Sequence, residues 1–173
     1  RAERRVAFCG VLSPGFATSQ VDVLDPAESL LWAIKSVRGQ YDVMVVLAYL
    51  KADELTALGY VVERMPVEGD RFNVWATQPG TPRPELVLST HMDTVPPHIA
   101  SSETADRIYG RGSCDAKGII ATQIAACQRL RKEGAAVGML FLVGEERDSL
   151  GAKVANDSPP GSRFLINGEP TEN

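Results

Sequence analysis

Leu86-Val87-Leu88-Ser89-Thr90-His91-Met92-Asp93-Thr94-Val95-Pro96-Pro97 is the stretch on which the fold turns. Leu86-Val87-Leu88 is an apolar run of strand length, and it delivers an imidazole and a carboxylate, His91 and Asp93, at its end. Pro96 and Pro97 then stiffen the exit loop. The arrangement recurs downstream. Val137 to Val143 reads as a buried strand that ends at Gly144-Glu145-Glu146, and Phe164-Leu165-Ile166 as a last strand that delivers Glu169. Between them Asp115 stands just ahead of a helix expected over Ala116 to Glu133, with Ile120, Ile124, Cys127 and Leu130 at helical spacing and Gly134 at its exit. Leu150 to Asn156 reads as a short helix. This alternation from residue 86 onward implies an α/β fold, a sheet with helices on its faces. Strand ends in such sheets gather their side chains in one crevice, where ligands bind.

Upstream the signals are weaker. Residues 1–24 show neither helical nor strand periodicity and read as an irregular N-terminal extension. At Asp25-Pro26-Ala27-Glu28 an N-cap acid, a proline at the first helical position and a glutamate two residues later announce a first helix that ends near Val37. A second helix is expected from about Asp42 to Leu58, stopped by Gly59, although its Val-rich start also suits a strand. Tyr60 to Met65 and Phe72 to Ala76 read as a hairpin turning at Glu68-Gly69-Asp70.

With 173 residues, 44% hydrophobic and 23% charged, the chain suffices for one globular domain with a substantial core. A net charge of −4 and dispersed Lys and Arg residues argue against a nucleic-acid partner. Cys9, Cys114 and Cys127 form no paired framework, which favours a reducing, cytoplasmic compartment. Pro14 and Gly15 interrupt the apolar stretch near the N-terminus, so neither a membrane span nor a targeting segment is expected. No G-x-G-x-x-G or Walker-type loop follows a strand, which leaves a nucleotide enzyme without support.

The side chains at the strand ends suit a hydrolytic metal site. Imidazole and carboxylate ligands satisfy zinc or cobalt, and a pair of ions about 3.5–4 Å apart needs a bridging group. Asp93, two residues after His91, is placed to accept the other ring N–H of that imidazole and fix its tautomer. In Glu145-Glu146 the carboxylates diverge if the backbone is extended, so one can hold metal while the other takes a proton from water. Cys114 reads as a small buried thiol, and Trp32 and Trp75 as packing residues. Arg111 and Lys117 suit either a substrate carboxylate or salt bridges holding the Asp115 loop.

The set H-M-D-T-V-P, G-R-G-S-C-D-A-K-G, G-E-E-R-D-S-L-G-A and G-E-P-T, in this order, resembles the amino-terminal catalytic part of the M20 family of metallopeptidases and deacylases. That family includes acetylornithine deacetylase, succinyl-diaminopimelate desuccinylase, aminoacylase and glutamate carboxypeptidase. The resemblance covers roughly residues 25–173 and implies a zinc-peptidase-like mixed sheet flanked by helices. It implies that His91 ligates one zinc, Asp115 bridges two, Glu146 ligates the second, Glu169 the first, and Glu145 is the general base. Cobalt or manganese would suit the same ligands. The implied substrate is a small N-acyl amino acid or dipeptide, hydrolysed at an amide beside a free carboxylate.

The chain departs from that family in one respect. Members continue past G-E-P-T into an inserted lid and dimerisation domain, then return with a second metal-binding histidine. Neither segment is in this sequence, whose other histidine, His98, lies in the loop after the first motif. The sequence therefore reads as an incomplete catalytic domain, with a homodimer expected only where a lid exists. The alternative reading is a truncated, non-catalytic metal-binding fragment.

Overall fold

The computed structural model describes residues 6–12, 43–49, 52–104, 107–159 and 161–171. The helix expected from Asp25 lies outside them. Strands β1 (Val6–Leu12) and β2 (Val43–Tyr49) pair in parallel, Val6 opposite Val43 through to Leu12 opposite Tyr49. Helix α1 (Ala52–Ala57) leads into the hairpin β3 (Val61–Glu68) and β4 (Arg71–Thr77). Strand β5 (Leu86–His91) follows, then a two-residue hairpin of β6 (Ser102–Glu103) and β7 (Ile108–Tyr109). Helix α2 (Ile119–Lys132), β8 (Val137–Leu142), α3 (Leu150–Asp157) and β9 (Phe164–Asn167) complete the described chain.

The main sheet has the order β3-β4-β8-β5-β9 among the described residues. β5 lies parallel to both β8 and β9, whereas β4 is antiparallel to β8 and to β3, so the sheet is mixed. Successive side chains of a strand point to opposite faces, and here the two faces hold separate cores. Met139 and Phe141 of β8, Val74 and Ala76 of β4 and Leu88 of β5 pack with Ile124 and Cys127 of α2. Leu140, Trp75 and Val87, the intervening residues, pack with Ala155 of α3. The apolar run of β8 is thus the signature of a central strand covered on both sides, and α2 and α3 are its two covers.

The α/β expectation and the strands at 86, 137 and 164 hold. Two expectations are corrected. Val6–Leu12, inside the segment read as irregular, forms β1, and the start of the expected 42–58 helix is strand β2, the alternative its Val-rich start allowed, leaving α1 as its helical part among the described residues. The cause is the same for both: each is a short apolar run whose partner lies far away in sequence, so parallel pairing overrides what a local window shows. Helix α2 also starts at Ile119 rather than Ala116. Ser113–Gly118 forms an irregular turn in which Asp115 (φ −115°, ψ 98°) and Ala116 (φ −126°, ψ 26°) leave the helical region.

β9 is the least covered strand. It lies at one edge of the sheet among the described residues, and Phe164, Leu165 and Ile166 are 50%, 58% and 56% exposed. No helix among the described residues is long and apolar enough to cross a membrane.

Candidate metal centre

Because β5, β8 and β9 run parallel, their carboxyl ends open at one edge of the sheet, and the expected side chains meet there. His91 closes β5 and is 1% exposed. Its Nε2 lies 2.7 Å from Asp115 Oδ1, 3.5 Å from Glu169 Oε2 and 3.9 Å from Glu145 Oε2. Four segments far apart in sequence therefore converge on a single ring nitrogen. The other nitrogen, Nδ1, is 3.1 Å from the Asp93 carbonyl oxygen, to which an Nδ1–H donates.

Each carboxylate is placed by local backbone. Asp115 stands in the turn opened by Gly112, whose φ of +81° favours glycine and whose added Cβ would lie 2.7 Å from Thr94 Cγ2. The turn thus packs directly on the loop that follows His91. Glu169 follows Gly168, whose N–H donates to the Ser89 carbonyl at 2.8 Å. A Cβ on Gly168 would lie 2.5 Å from Ile119 Cγ2 and 2.9 Å from Gln123 Nε2, so only glycine lets the Glu169 loop sit this close to α2. Glu145 and Glu146 occupy the turn after β8, with Glu145 exposed and Glu146 partly buried.

Donor atoms of His91, Asp115 and Glu169 lie within 4.8 Å of one another. Ligands of one zinc at about 2.0–2.2 Å can be at most about 4.4 Å apart, so the three fit a common ion after small carboxylate rotations. Asp115 and Glu169 have room to turn, with side chains 46% and 39% exposed. One imidazole with carboxylates is a donor set that zinc, cobalt and manganese accept. Glu146, the implied ligand of a second ion, is not in this group of three.

Asp93 departs from its expected role. Its Oδ1 is 3.6 Å from His91 Nδ1, too far for a hydrogen bond, and the nearer carbonyl oxygen takes that place. Both carboxylate oxygens are instead engaged by the backbone N–H groups of Glu145 and Glu146. Backbone direction after β5 decides this: the chain turns so that the carbonyl, not the side chain, faces the ring. Cys114 is also corrected, from buried to exposed, because the turn at Ser113–Gly118 is not yet part of the helix that buries Cys127. Trp75 is buried as expected, while Trp32 lies outside the described residues. Arg111 donates through Nε to the Pro97 carbonyl at 3.2 Å, which ties the Asp115 turn to the first loop, and His98 is exposed.

Two supporting residues escaped the sequence reading. Asn73, fully buried, donates through Nδ2 to the Gly151 carbonyl at 2.8 Å and accepts from the Val143 N–H at 3.1 Å. Gln123 donates through Nε2 to the Ser89 carbonyl at 2.7 Å, the same oxygen that receives Gly168 N–H. Both carried a signal: a polar residue within an apolar strand, and a polar residue three positions after Ile120 on a buried helical stripe.

Burial works against charge on His91, but the hydrogen bond to Asp115 and the negative charges of Glu169, Asp115 and Glu145 outweigh it and hold its pKa above the usual imidazole value. A folded pKa above the unfolded one means that the imidazolium stabilises the metal-free fold below the unfolded value of about 6.5, and that this contribution fades as pH rises through the folded value. Urea unfolding of the chelator-treated chain should therefore show stability falling with pH above about 6.5 relative to His91→Gln. Parallel stability profiles for the two proteins would exclude it.

A model of peptidase family M20/M25/M40 matches residues 87–173. A probable carboxypeptidase of Ajellomyces dermatitidis is 40% identical in an alignment 149 residues long that covers 73% of this chain and 34% of the relative. One from Paracoccidioides brasiliensis is 38% identical in an alignment 152 residues long that covers 74% of this chain and 33% of the relative. The chain thus spans about a third of the length of the curated relatives it matches. Among solved structures, a tripeptidase from Staphylococcus aureus aligns with a TM-score of 0.56 at 24% identity, covering 69% of this chain and 36% of that one. Human carnosine dipeptidase 1 aligns with a TM-score of 0.57 at 18% identity, covering 70% and 32%. At these identities the two structures speak for the fold.

Proposed function

The chain belongs to peptidase family M20/M25/M40, and from that premise we propose that it carries the hydrolytic machinery of a metal-dependent, carboxypeptidase-like enzyme of small peptides. The observation that supports this most is the convergence on His91 Nε2 of carboxylates from three other segments, Asp115, Glu145 and Glu169. In this reading His91, Glu169 and Asp115 would hold one zinc, and Asp115 with Glu146 would hold a second. Cobalt or manganese would be held by the same donors.

The ions, when bound, polarise the scissile carbonyl and make water more acidic. The remaining work falls to the chain. Glu145, 3.9 Å from the ring nitrogen and exposed, takes a proton from the attacking water and returns it to the leaving amine. With a metal ion bound, the Nδ1–H bond to the Asp93 carbonyl would leave the Nε2 lone pair of His91 free to ligate it. Deacylation of an N-acyl amino acid, as in acetylornithine deacetylases, is the same reaction on a different acyl group, and the four motifs support it as the second reading.

The test is hydrolysis by the protein at its native length, loaded with zinc. Short peptides with a free C-terminus should lose their last residue, and the same peptides amidated at the C-terminus should be cleaved at least about ten times more slowly, the loss of one charge-assisted contact. Turnover of N-acetyl amino acids alone would select the deacylase reading. Absence of turnover on both classes would leave a non-catalytic metal-binding role.

A further inference from the structure

We infer that Asp93 is a positioning residue for the Glu145–Glu146 pair, clamping the turn that carries them by its side chain. The inference rests on the reading of Glu145 as base and Glu146 as ligand. Asp93 Oδ1 accepts from the Glu145 N–H at 3.2 Å, and Oδ2 accepts from the Glu146 N–H, also at 3.2 Å. Two consecutive N–H groups converge on one anion only where the backbone curls, so the pair sits on a small anion-binding concavity rather than on extended chain. Hydrogen bonds to an ionised acceptor are roughly twice as strong as neutral ones.

The rest of the turn shows why this clamp matters. The turn is closed on itself by Asp148 N–H and Ser149 N–H, both donating to the Gly144 carbonyl, and by Gly151 N–H donating to the Val143 carbonyl. Asn73 bolts both ends of that loop to β4 through Val143 and Gly151. These bonds shape the turn and fix it to the neighbouring strand. Ahead of the turn, Met92 N–H donates to the Leu142 carbonyl at 2.7 Å and joins the end of β8 to the residue after His91. The Asp93 carboxylate reaches Glu145 and Glu146 themselves, across 52 and 53 residues of sequence. The Asp93 side chain thus adds to the β5–β8 pairing in setting the 3.9 Å between Glu145 Oε2 and His91 Nε2, while its carbonyl holds the ring. One residue thus registers the base against the ligand, with its main chain on one and its side chain on the other.

The experiment compares the unsubstituted chain with Asp93→Asn by NMR, first without metal and then in zinc titrations. The amide protons of Glu145 and Glu146 should move upfield in the variant, since their anionic acceptor is gone, while the ring nitrogen shifts of His91 stay in place. Zinc binding at the Glu146 side should weaken by about 10–100-fold, with the His91–Glu169 side nearly unchanged. In the native-length protein kcat should fall and KM change little. A moved His91 ring with unmoved Glu145 and Glu146 amides would overturn the inference, because the carboxylate would then serve the imidazole. Should Asp93→Asn fail to fold, hydrogen exchange in the unsubstituted chain decides: slow exchange of the Glu145 amide despite its exposed position supports the clamp, and exchange at the open-loop rate overturns it. The amide and ring readouts need no turnover, so a failure of the hydrolase reading leaves them intact and is recognised separately.

Discussion

Glu145→Gln is expected to lower turnover of the native-length protein by about two to four orders of magnitude while its zinc content stays the same. The substitution keeps shape and size but removes the only function assigned to this side chain, holding a proton between water and leaving amine. Glu145 lies outside the group of three donors within coordinating reach of one another, so the ion's ligands are untouched. Its backbone N–H still reaches Asp93, which preserves the turn. Activity and metal analysis on the same preparation check this. A variant that loses both together would make Glu145 a ligand, and one that keeps normal turnover would end the proposed mechanism.

Asp115→Ala is expected to do the opposite, stripping metal first and activity as a consequence. Asp115 is the nearest carboxylate to His91, at 2.7 Å, and it stands in a turn held by the Ser113 N–H and hydroxyl to the Gly110 carbonyl and by Lys117 N–H to the Gly112 carbonyl. That turn persists without the carboxylate, so the loss is of a ligand rather than of the fold. Affinity for at least one zinc should fall by more than about tenfold, and the raised His91 pKa should move back toward the ordinary imidazole value, since Asp115 supplies its hydrogen bond. Calorimetric zinc titration together with the His91 ring shifts measures both. Full zinc stoichiometry at unchanged affinity would remove Asp115 from the site.

How legible this was from sequence differs along the chain. His91, Asp115, Glu145 and Glu169 announced themselves because each follows a short apolar run or stands just ahead of a helical pattern, and a chemical group in that position has few structural uses. The central sheet was legible for a related reason: Val137 to Leu142 is apolar on both faces, which is what a covered parallel strand requires. β1 was not, and β2 was legible only as the alternative to a helix, since their pairing is a contact between distant segments that a local window does not show. Asp93 was found but misassigned. Its spacing from His91 suggested a bond to the ring, yet whether carbonyl or carboxylate faces the imidazole depends on backbone direction, which spacing does not encode. Asn73 and Gln123 were visible only as polar interruptions of apolar patterns, and their partners, Gly151, Val143 and Ser89, are main-chain atoms that leave no mark on side-chain identity.

β9 gives the centre a property of its own. Glu169 is carried two residues beyond a four-residue strand that is outermost among the described residues and whose apolar side chains face solvent. Such a strand is the first part of a sheet to fray, with an opening free energy far below that of the whole fold. If Glu169 is a ligand, as proposed, each opening would take it away, and apparent metal affinity would carry the strand's own closing equilibrium as a factor. An ion joining Glu169 to His91 would fasten the loosest strand of the sheet to one of its most buried, and the metal would then act as a rivet for the edge as well as a reagent.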